Sequence, residues 1–466
     1  MPFRRIAISA VVVAVLAAAS LGGLFWVFKA HFNPGPPDVG FAKPANVLEA
    51  QRQDLEQFRR LVALDRSYSP AARDAANRRI DALGGSAQIL GWGQLRAALM
   101  RIAALADNGH TGVFSGEHRR PNAVPLRVSG FADGLYVLRA KGPYADLLGA
   151  QVEAIDGQPT ETALAKLDAL HGGTPAWRRT NSEIWVQSPE VLNGIGVAPK
   201  PDVTVWTLRR KDGSRVERSL KGEPLAKDES FEEATRWLSP EPLDKEPKTW
   251  RALPVPLPLP LRDFNKTFRR EGLGNSCVLF LQMKAVVDGP DEKIADWLRE
   301  TADAMAASNP CVVILDMRYN TGGDYTNTWA FTHKLPDLMK PAARVFILTG
   351  PQTFSASITT TAFIKETLGD RAVIVGEPVG DRQKFLSEGN SGCLPNSGIC
   401  FNYSTGMHDY SAPCTDWHVC FWLNWLYPVR VKTLAPDVTV PLRFADYLAG
   451  RDPVFERALA LAARGR

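Results

Sequence analysis

The chain predicts a multidomain α/β protein, and three patterns lead there. Between residues 278 and 348, apolar β-branched runs at 278–283, 312–317 and 345–348 alternate with helical stretches at 292–307 and 326–335. Such alternation favours a mostly parallel sheet covered by helices, with reactive groups at the C-terminal ends of the strands. Residues 121–222 alternate apolar and polar side chains between turns at Asp133-Gly134, Asp156-Gly157 and Asp212-Gly213, which suits a small β-rich module. Residues 45–115 place Leu55, Phe58, Leu61, Val62 and Leu64 on one helical stripe, a core-facing surface. At 466 residues the chain is too long for a single hydrophobic core.

The segments follow in order. Residues 1–29 open with Arg4 and Arg5 and then run without charge from residue 6 to residue 28, long enough for one transmembrane helix. A cleaved signal would end near Ala17-Ala18-Ala19-Ser20, but Leu24-Phe25-Trp26-Val27-Phe28 prolongs the apolar run. An uncleaved anchor is therefore expected, with its basic end in the cytoplasm and the body in the periplasm or extracellular space. A Pro/Gly linker at 30–44 leads to the helical region at 45–120 and the β-rich module at 121–222. The connector at 223–262 is charged and then proline-dense, and the α/β core occupies 263–466. Within the connector, alternating prolines from Pro254 to Pro260 favour an extended path along the surface and forbid a central strand. Lys and Arg number 55 against 50 Asp and Glu, a net charge of +5 without a basic run, so nucleic acid is not an expected partner.

Cysteine usage suits an oxidising compartment. Cys393, Cys400, Cys414 and Cys420 crowd a loop-rich stretch and read as two disulfides. Three connectivities are open, of which Cys393 with Cys400 and Cys414 with Cys420 is preferred. A zinc site using these with His408 or His418 is the weaker alternative, because the spacing lacks a CxxC pair. Cys277 and Cys311 each begin an apolar strand and read as buried thiols, although adjacent strands would permit a bridge.

Three motifs carry chemistry. In Thr353-Phe354-Ser355-Ala356-Ser357 a serine lies between an apolar strand and a helix, near N–H groups and a dipole that favour developing negative charge. A lone serine there would merely cap the helix. Upstream, a buried strand ends in Asn320-Thr321-Gly322-Gly323, where the absence of Cβ lets backbone N–H groups face a ligand. Further upstream, Asp107-Asn108-Gly109-His110-Thr111-Gly112 puts a histidine on a turn after a helix; the chain has seven histidines.

Together, segments 107–112, 314–323 and 353–378 resemble the signature segments of the C-terminal processing (tail-specific) serine peptidases and the related tricorn core peptidases. The likeness continues through Gly392-Cys393-Leu394-Pro395-Asn396-Ser397-Gly398, Ser404-Thr405, Pro436-Asp437-Val438 and Asp446 to Pro453, so it spans the chain from about residue 45 onward. It implies a ClpP/crotonase-like α/β catalytic core. Leu147 to Gly157 resembles the carboxylate-loop-to-strand portion of PDZ-like domains in this family, implying a PDZ-like module that adds a peptide to a sheet edge.

The family uses either a Ser–Lys dyad or a histidine base. Where the lysine is expected this chain reads Val379-Gly380-Asp381-Arg382-Gln383-Lys384, so Lys384 falls late and stands as the alternative base. The wording around His110 matches the His-using branch. The resemblance thus implies Ser355 as nucleophile and His110 as general base, with an oxyanion hole from Gly322, Gly323 and Ala356. The orienting glutamate of that branch is replaced near its place by Arg430, leaving Glu388, Asp409 or Asp416 as substitutes.

The implied function is a serine endopeptidase that cleaves extended or unfolded polypeptides outside the cytoplasm, with no cofactor or metal. Its expected partners are the polypeptide substrate and the membrane. The alternative is a catalytically silent protein binding peptides or apolar ligands on the same fold, and a membrane-bound interaction protein is a third option.

Overall fold

The computed structural model describes residues 22–116, 119–225, 237–242, 248–274 and 276–464. Most of the expected membrane anchor, residues 1–21, lies outside the described residues. From Gly22 the chain is helical to Phe32, and no helix among the described residues is long and apolar enough to cross a membrane. The end of this helix docks on the body: Phe28 stacks on Trp422 with centroids 5.5 Å apart, and Phe32 is fully buried against Phe421. The expected linker also lies on the body, where the carbonyl of Pro37 accepts a hydrogen bond from Gln57 Nε2 at 3.0 Å.

Three helices follow, each started by local chemistry. In α1 (Val47–Leu64) Asn46 accepts the N–H of Glu49, and in α2 (Pro70–Gly85) Ser69 caps a first turn that begins with proline. The third, α3 (Trp92–Ala103), completes the layer. The stripe on α1 buries Leu55, Phe58, Leu61 and Val62, as its spacing requires. The helical region does not stay helical to residue 120: β1 (Gly112–Ser115) pairs antiparallel with a strand of the core, which ties the segment around His110 to the far end of the chain.

The β-rich module is built from β2 (Leu126–Phe131), β3 (Gly134–Lys141), β4 (Gln151–Ile155), β5 (Val203–Arg209) and β6 (Arg215–Lys221), all antiparallel. Three helices also occur here, α4 (Thr160–Asp168), α5 (Pro175–Trp185) and α6 (Pro189–Gly194). The last two start at Thr174-Pro175 and Ser188-Pro189, helix-start signals that the alternating pattern masks. The connector does more than cross the surface. Its β7 (Trp250–Ala252) joins the sheet beside β3, and Leu253 and Leu261 are buried. Only an edge strand tolerates the prolines that follow.

The core is a six-stranded sheet, β8 (Phe268–Gly272), β9 (Val278–Met283), β10 (Val312–Asp316), β11 (Arg344–Thr349), β12 (Ala372–Gly376) and β13 (Val438–Thr439), in that order. All neighbours are parallel except β8 with β9. Helices α7 (Ile294–Ser308), α8 (Thr326–Leu338) and α9 (Ala356–Leu368) make the crossovers, and the continuous apolar strands are buried on both faces. Cys277 and Cys311 are bridged, not free thiols: they precede adjacent parallel strands with Cα atoms 5.3 Å apart. Cys393 pairs with Cys400 directly across two antiparallel strands, and Cys414 with Cys420.

Module and core meet around a cavity of about 280 Å³ that holds Glu183 from α5 and Glu377 from the core. Glu183 accepts the N–H of Gly130 at 2.8 Å, yet burial dominates and pushes its carboxyl up to about 7; burial also raises Glu377. The folded chain therefore keeps a proton between the ordinary value of 4.5 and about 7 that the unfolded chain gives up. Stability falls as pH rises through that window. Glu183→Gln should flatten the fall and gain roughly 1–3 kcal/mol over wild type at about pH 8 but little near pH 4. Denaturant unfolding of both proteins across pH is the check; parallel curves would remove this carboxyl as the cause.

Candidate active site

Strand β11 ends at Thr349, and a tight turn delivers Ser355 to the start of α9. Thr353 Oγ1 donates to the carbonyl of Met317 at 2.9 Å and accepts the N–H of Gly350 at 3.1 Å, which fixes the turn. Ser355 adopts φ 56° and ψ −128°, left-handed backbone that a residue with a Cβ rarely takes. Such strain costs on the order of 1–3 kcal/mol and persists only where the surroundings enforce it.

The enforcing group is Asn320, fully buried at the exit of β10. Its side chain donates to the carbonyl of Met283 at 3.0 Å and accepts the N–H of Gly322 at 3.0 Å. Its backbone carbonyl accepts from the N–H of Phe354 at 3.0 Å and from Ser357 Oγ at 2.8 Å. One residue thus fastens the glycine turn to the serine turn. The two turns touch: a Cβ on Gly322, where φ is 111°, would stand 2.6 Å from Ser355 Cβ and 2.9 Å from the Phe354 carbonyl.

The expected oxyanion donors separate here. The Gly322 N–H is spent on Asn320, so Gly322 supplies close approach and no free donor. Gly323 and Ala356 line the same cavity as Ser355. The Ala356 N–H belongs to the first turn of α9 and has no intrahelical acceptor.

His110 comes from the other half of the chain, on a turn held by buried Asp65. Asp65 accepts Thr111 Oγ1 at 2.6 Å, the Ser404 N–H at 3.2 Å and the Ser67 N–H at 2.7 Å, while burial pushes its carboxyl upward. Asn108 Nδ2 donates to Thr111 Oγ1 at 3.1 Å and Ser404 Oγ at 3.0 Å. The imidazole is 13 % exposed and stacks on Phe354, the residue before the serine, with centroids 4.2 Å apart. Its Nδ1 lies 3.3 Å from Asp381 Oδ2, within ion-pair range but off the line of a hydrogen bond. Gly109 makes this approach feasible, since a Cβ there would meet both Asp381 Oδ2 and the Phe354 ring at 3.0 Å.

A column of rings runs through the site. Trp177 of α5 lies flat on Phe354 at 3.9 Å, Phe354 on His110, His110 on Phe385 at 5.1 Å and Phe385 on His408 at 5.1 Å. Thr174 Oγ1 also donates to the carbonyl of Gly380 at 3.0 Å, and Asp107 receives Arg178 of α5 and Arg382 beside Asp381. Module, histidine turn and acid loop are thereby joined.

The other residues singled out in the sequence lie elsewhere. Lys384 is 60 % exposed and faces Asp409 at 3.7 Å, while Asp409 is engaged in capping the turn at Ser411. Asp416 accepts the His418 N–H on the exposed disulfide loop, and the backbone of exposed Arg430 bonds Glu366. Glu388 stands against His408 at 3.3 Å, on the opposite side of Phe385 from His110. The acid beside His110 is Asp381, whose signal was its place: it occupies the stretch where the resembled family carries its lysine.

No family model and no curated protein matches the chain. Among solved structures, mature CPAF complexed with lactacystin aligns with a TM-score of 0.54 and 14% identity over 89% of this chain and 98% of that one. Mature CPAF alone gives 0.55 and 14% over 89% and 97%. The photosystem II D1 C-terminal processing protease aligns at 0.38 and 11% over 84% and 93%, too loosely to bear on the argument. The chain has a mixed α/β multidomain fold. That fold is shared with mature CPAF.

Because any side chain on Gly322 would push the serine turn out of place, Gly322→Ala should lower any Ser355-dependent turnover by roughly 100-fold. Gly84→Ala, where a Cβ meets nothing within 4 Å, serves as the control. Equal turnover in the two variants would refute the close-approach role.

Proposed function

We propose that this protein is a serine peptidase acting on polypeptides, with Ser355 as nucleophile. The observation that carries the proposal is the strained Ser355, locked by Asn320 against a glycine turn and preceded by Phe354, on whose ring the His110 of the His110–Asp381 pair stacks. The CPAF-like fold supports it at the level of architecture.

In this mechanism His110 takes the Ser355 proton through Nε2 as the hydroxyl oxygen attacks the scissile carbonyl. Asp381, facing Nδ1, selects the tautomer that leaves Nε2 as acceptor and stabilises the imidazolium that forms. The tetrahedral oxyanion is received by the N–H groups of Gly323 and Ala356. His110 then returns the proton to the leaving amine, and water repeats the sequence on the acyl-enzyme.

A β-rich module beside the site would present an extended chain by strand addition, which is the PDZ-like role. Three disulfides support an oxidising compartment outside the cytoplasm. Attachment to a membrane rests on the uncharged run from residue 6 to residue 28.

Hydrolysis of an unfolded protein substrate should be abolished by Ser355→Ala and lowered at least about 1,000-fold by His110→Ala, whereas Asp381→Asn should cost roughly 100-fold or more, chiefly in kcat. Lys384→Ala should stay within about twofold of wild type. Full activity in Ser355→Ala would overturn the assignment. Inactivity of the folded, disulfide-bonded wild type would favour the silent binding protein.

A further inference from the structure

Ser355, Ala356 and Gly323 line a cavity of about 190 Å³ together with Glu388 and with Phe385 and His408, the far end of the ring column. We infer that this cavity is the specificity pocket for a cationic side chain, lysine or arginine, next to the scissile bond. The inference rests on Ser355 being the nucleophile and deepens that reading by naming the substrate class.

Charge is the first argument. Glu388 and Asp324 are the charged residues on the wall, and no lysine or arginine is among the described residues lining it. One carboxylate oxygen of Glu388 meets Ser387 Oγ and His408 Nε2, each at 3.3 Å. Ser387 donates to this oxygen, and His408 does so too in the tautomer that carries its proton on Nε2. Asp324 sits on the rim, where it caps the Thr326 N–H at 2.9 Å.

Construction is the second argument. Glu388 has φ 59°, a left-handed conformation unusual for a glutamate. Glu388 packs against Gly406, where a Cβ would come within 2.8 Å of its Cγ, and the next residue, Gly389, donates its N–H to the Phe32 carbonyl at 3.0 Å. Backbone strain of this kind concentrates at functional sites, and here it is held by packing on two sides. The same walls carry the rings of Tyr325, Phe385 and Phe421. Aromatic faces suit the methylene stem of a long basic side chain and attract its charged head.

The test uses peptides identical except for a single Lys, Arg, Gln, Leu or Glu, with cleavage positions read by mass spectrometry and kcat/KM compared. Cleavage should fall next to Lys or Arg, at least about tenfold faster than the Leu and Glu peptides. Glu388→Gln should lower the Lys-to-Leu ratio about tenfold or more, and Glu388→Lys should turn the preference toward the Glu peptide. Equal rates across the wild-type series, or an unchanged ratio in Glu388→Gln, overturn the pocket while leaving the peptidase intact. If no peptide or unfolded protein is cut, the peptidase reading fails separately. The pocket is then judged by calorimetry on folded Ser355→Ala protein. Tighter binding of the Lys peptide that disappears with Glu388→Gln sustains it, and equal binding of the Lys and Leu peptides overturns it.

Discussion

The turn that carries the nucleophile depends on buried Asn320. Its two backbone-directed side-chain bonds and the two bonds to its carbonyl join β9, the glycine turn and the serine turn. Each such bond contributes about 1 kcal/mol net, but orphaning a buried partner costs 1–3 kcal/mol, so the cluster holds all together or fails together. That is enough to maintain Ser355 in left-handed backbone. Beneath it, Arg318 is buried with Asp316 at 2.8 Å and Asp452 at 2.8 Å. Burial works against its charge, and the two carboxylates more than compensate. The strand exit is thereby fixed to Asp452, just before the C-terminal helix α10 (Pro453–Arg464).

Much of the architecture was legible because it depends on local periodicity. The strand–helix alternation of the core comes from residues buried on both faces of a parallel sheet, and the stripe on α1 from one buried helical face. The strand-to-helix position of Ser355 could be read for the same reason, since an apolar run and a helical run flank it. Helices α5 and α6 were hidden because a short stretch with mixed burial gives no clean period, although Thr174-Pro175 and Ser188-Pro189 announce their starts. The Cys277–Cys311 bridge depends on which two strands become neighbours, a property of topology that spacing along the sequence does not reveal.

The site was less legible than the fold for a related reason. Ser355 and His110 could be picked out by motif, but the acid could not, because a carboxylate acquires its partner only through tertiary contact. Glu388 and Asp381 are separated by few residues in sequence, yet they face different histidines across the ring of Phe385. Gly322 and Gly323 read as equivalent donors, and only the reach of Asn320 tells them apart.

The ring column has a consequence for how such a chain is made. Trp177, Phe354, His110, Phe385 and His408 come from five separate stretches between residues 110 and 408, and no one stretch of chain contains the histidine's surroundings. A nascent or half-folded chain therefore carries the serine without the cradle that would arm it. A peptidase built this way gains competence only once these separate segments have come together, which limits damage to unfolded neighbours during synthesis.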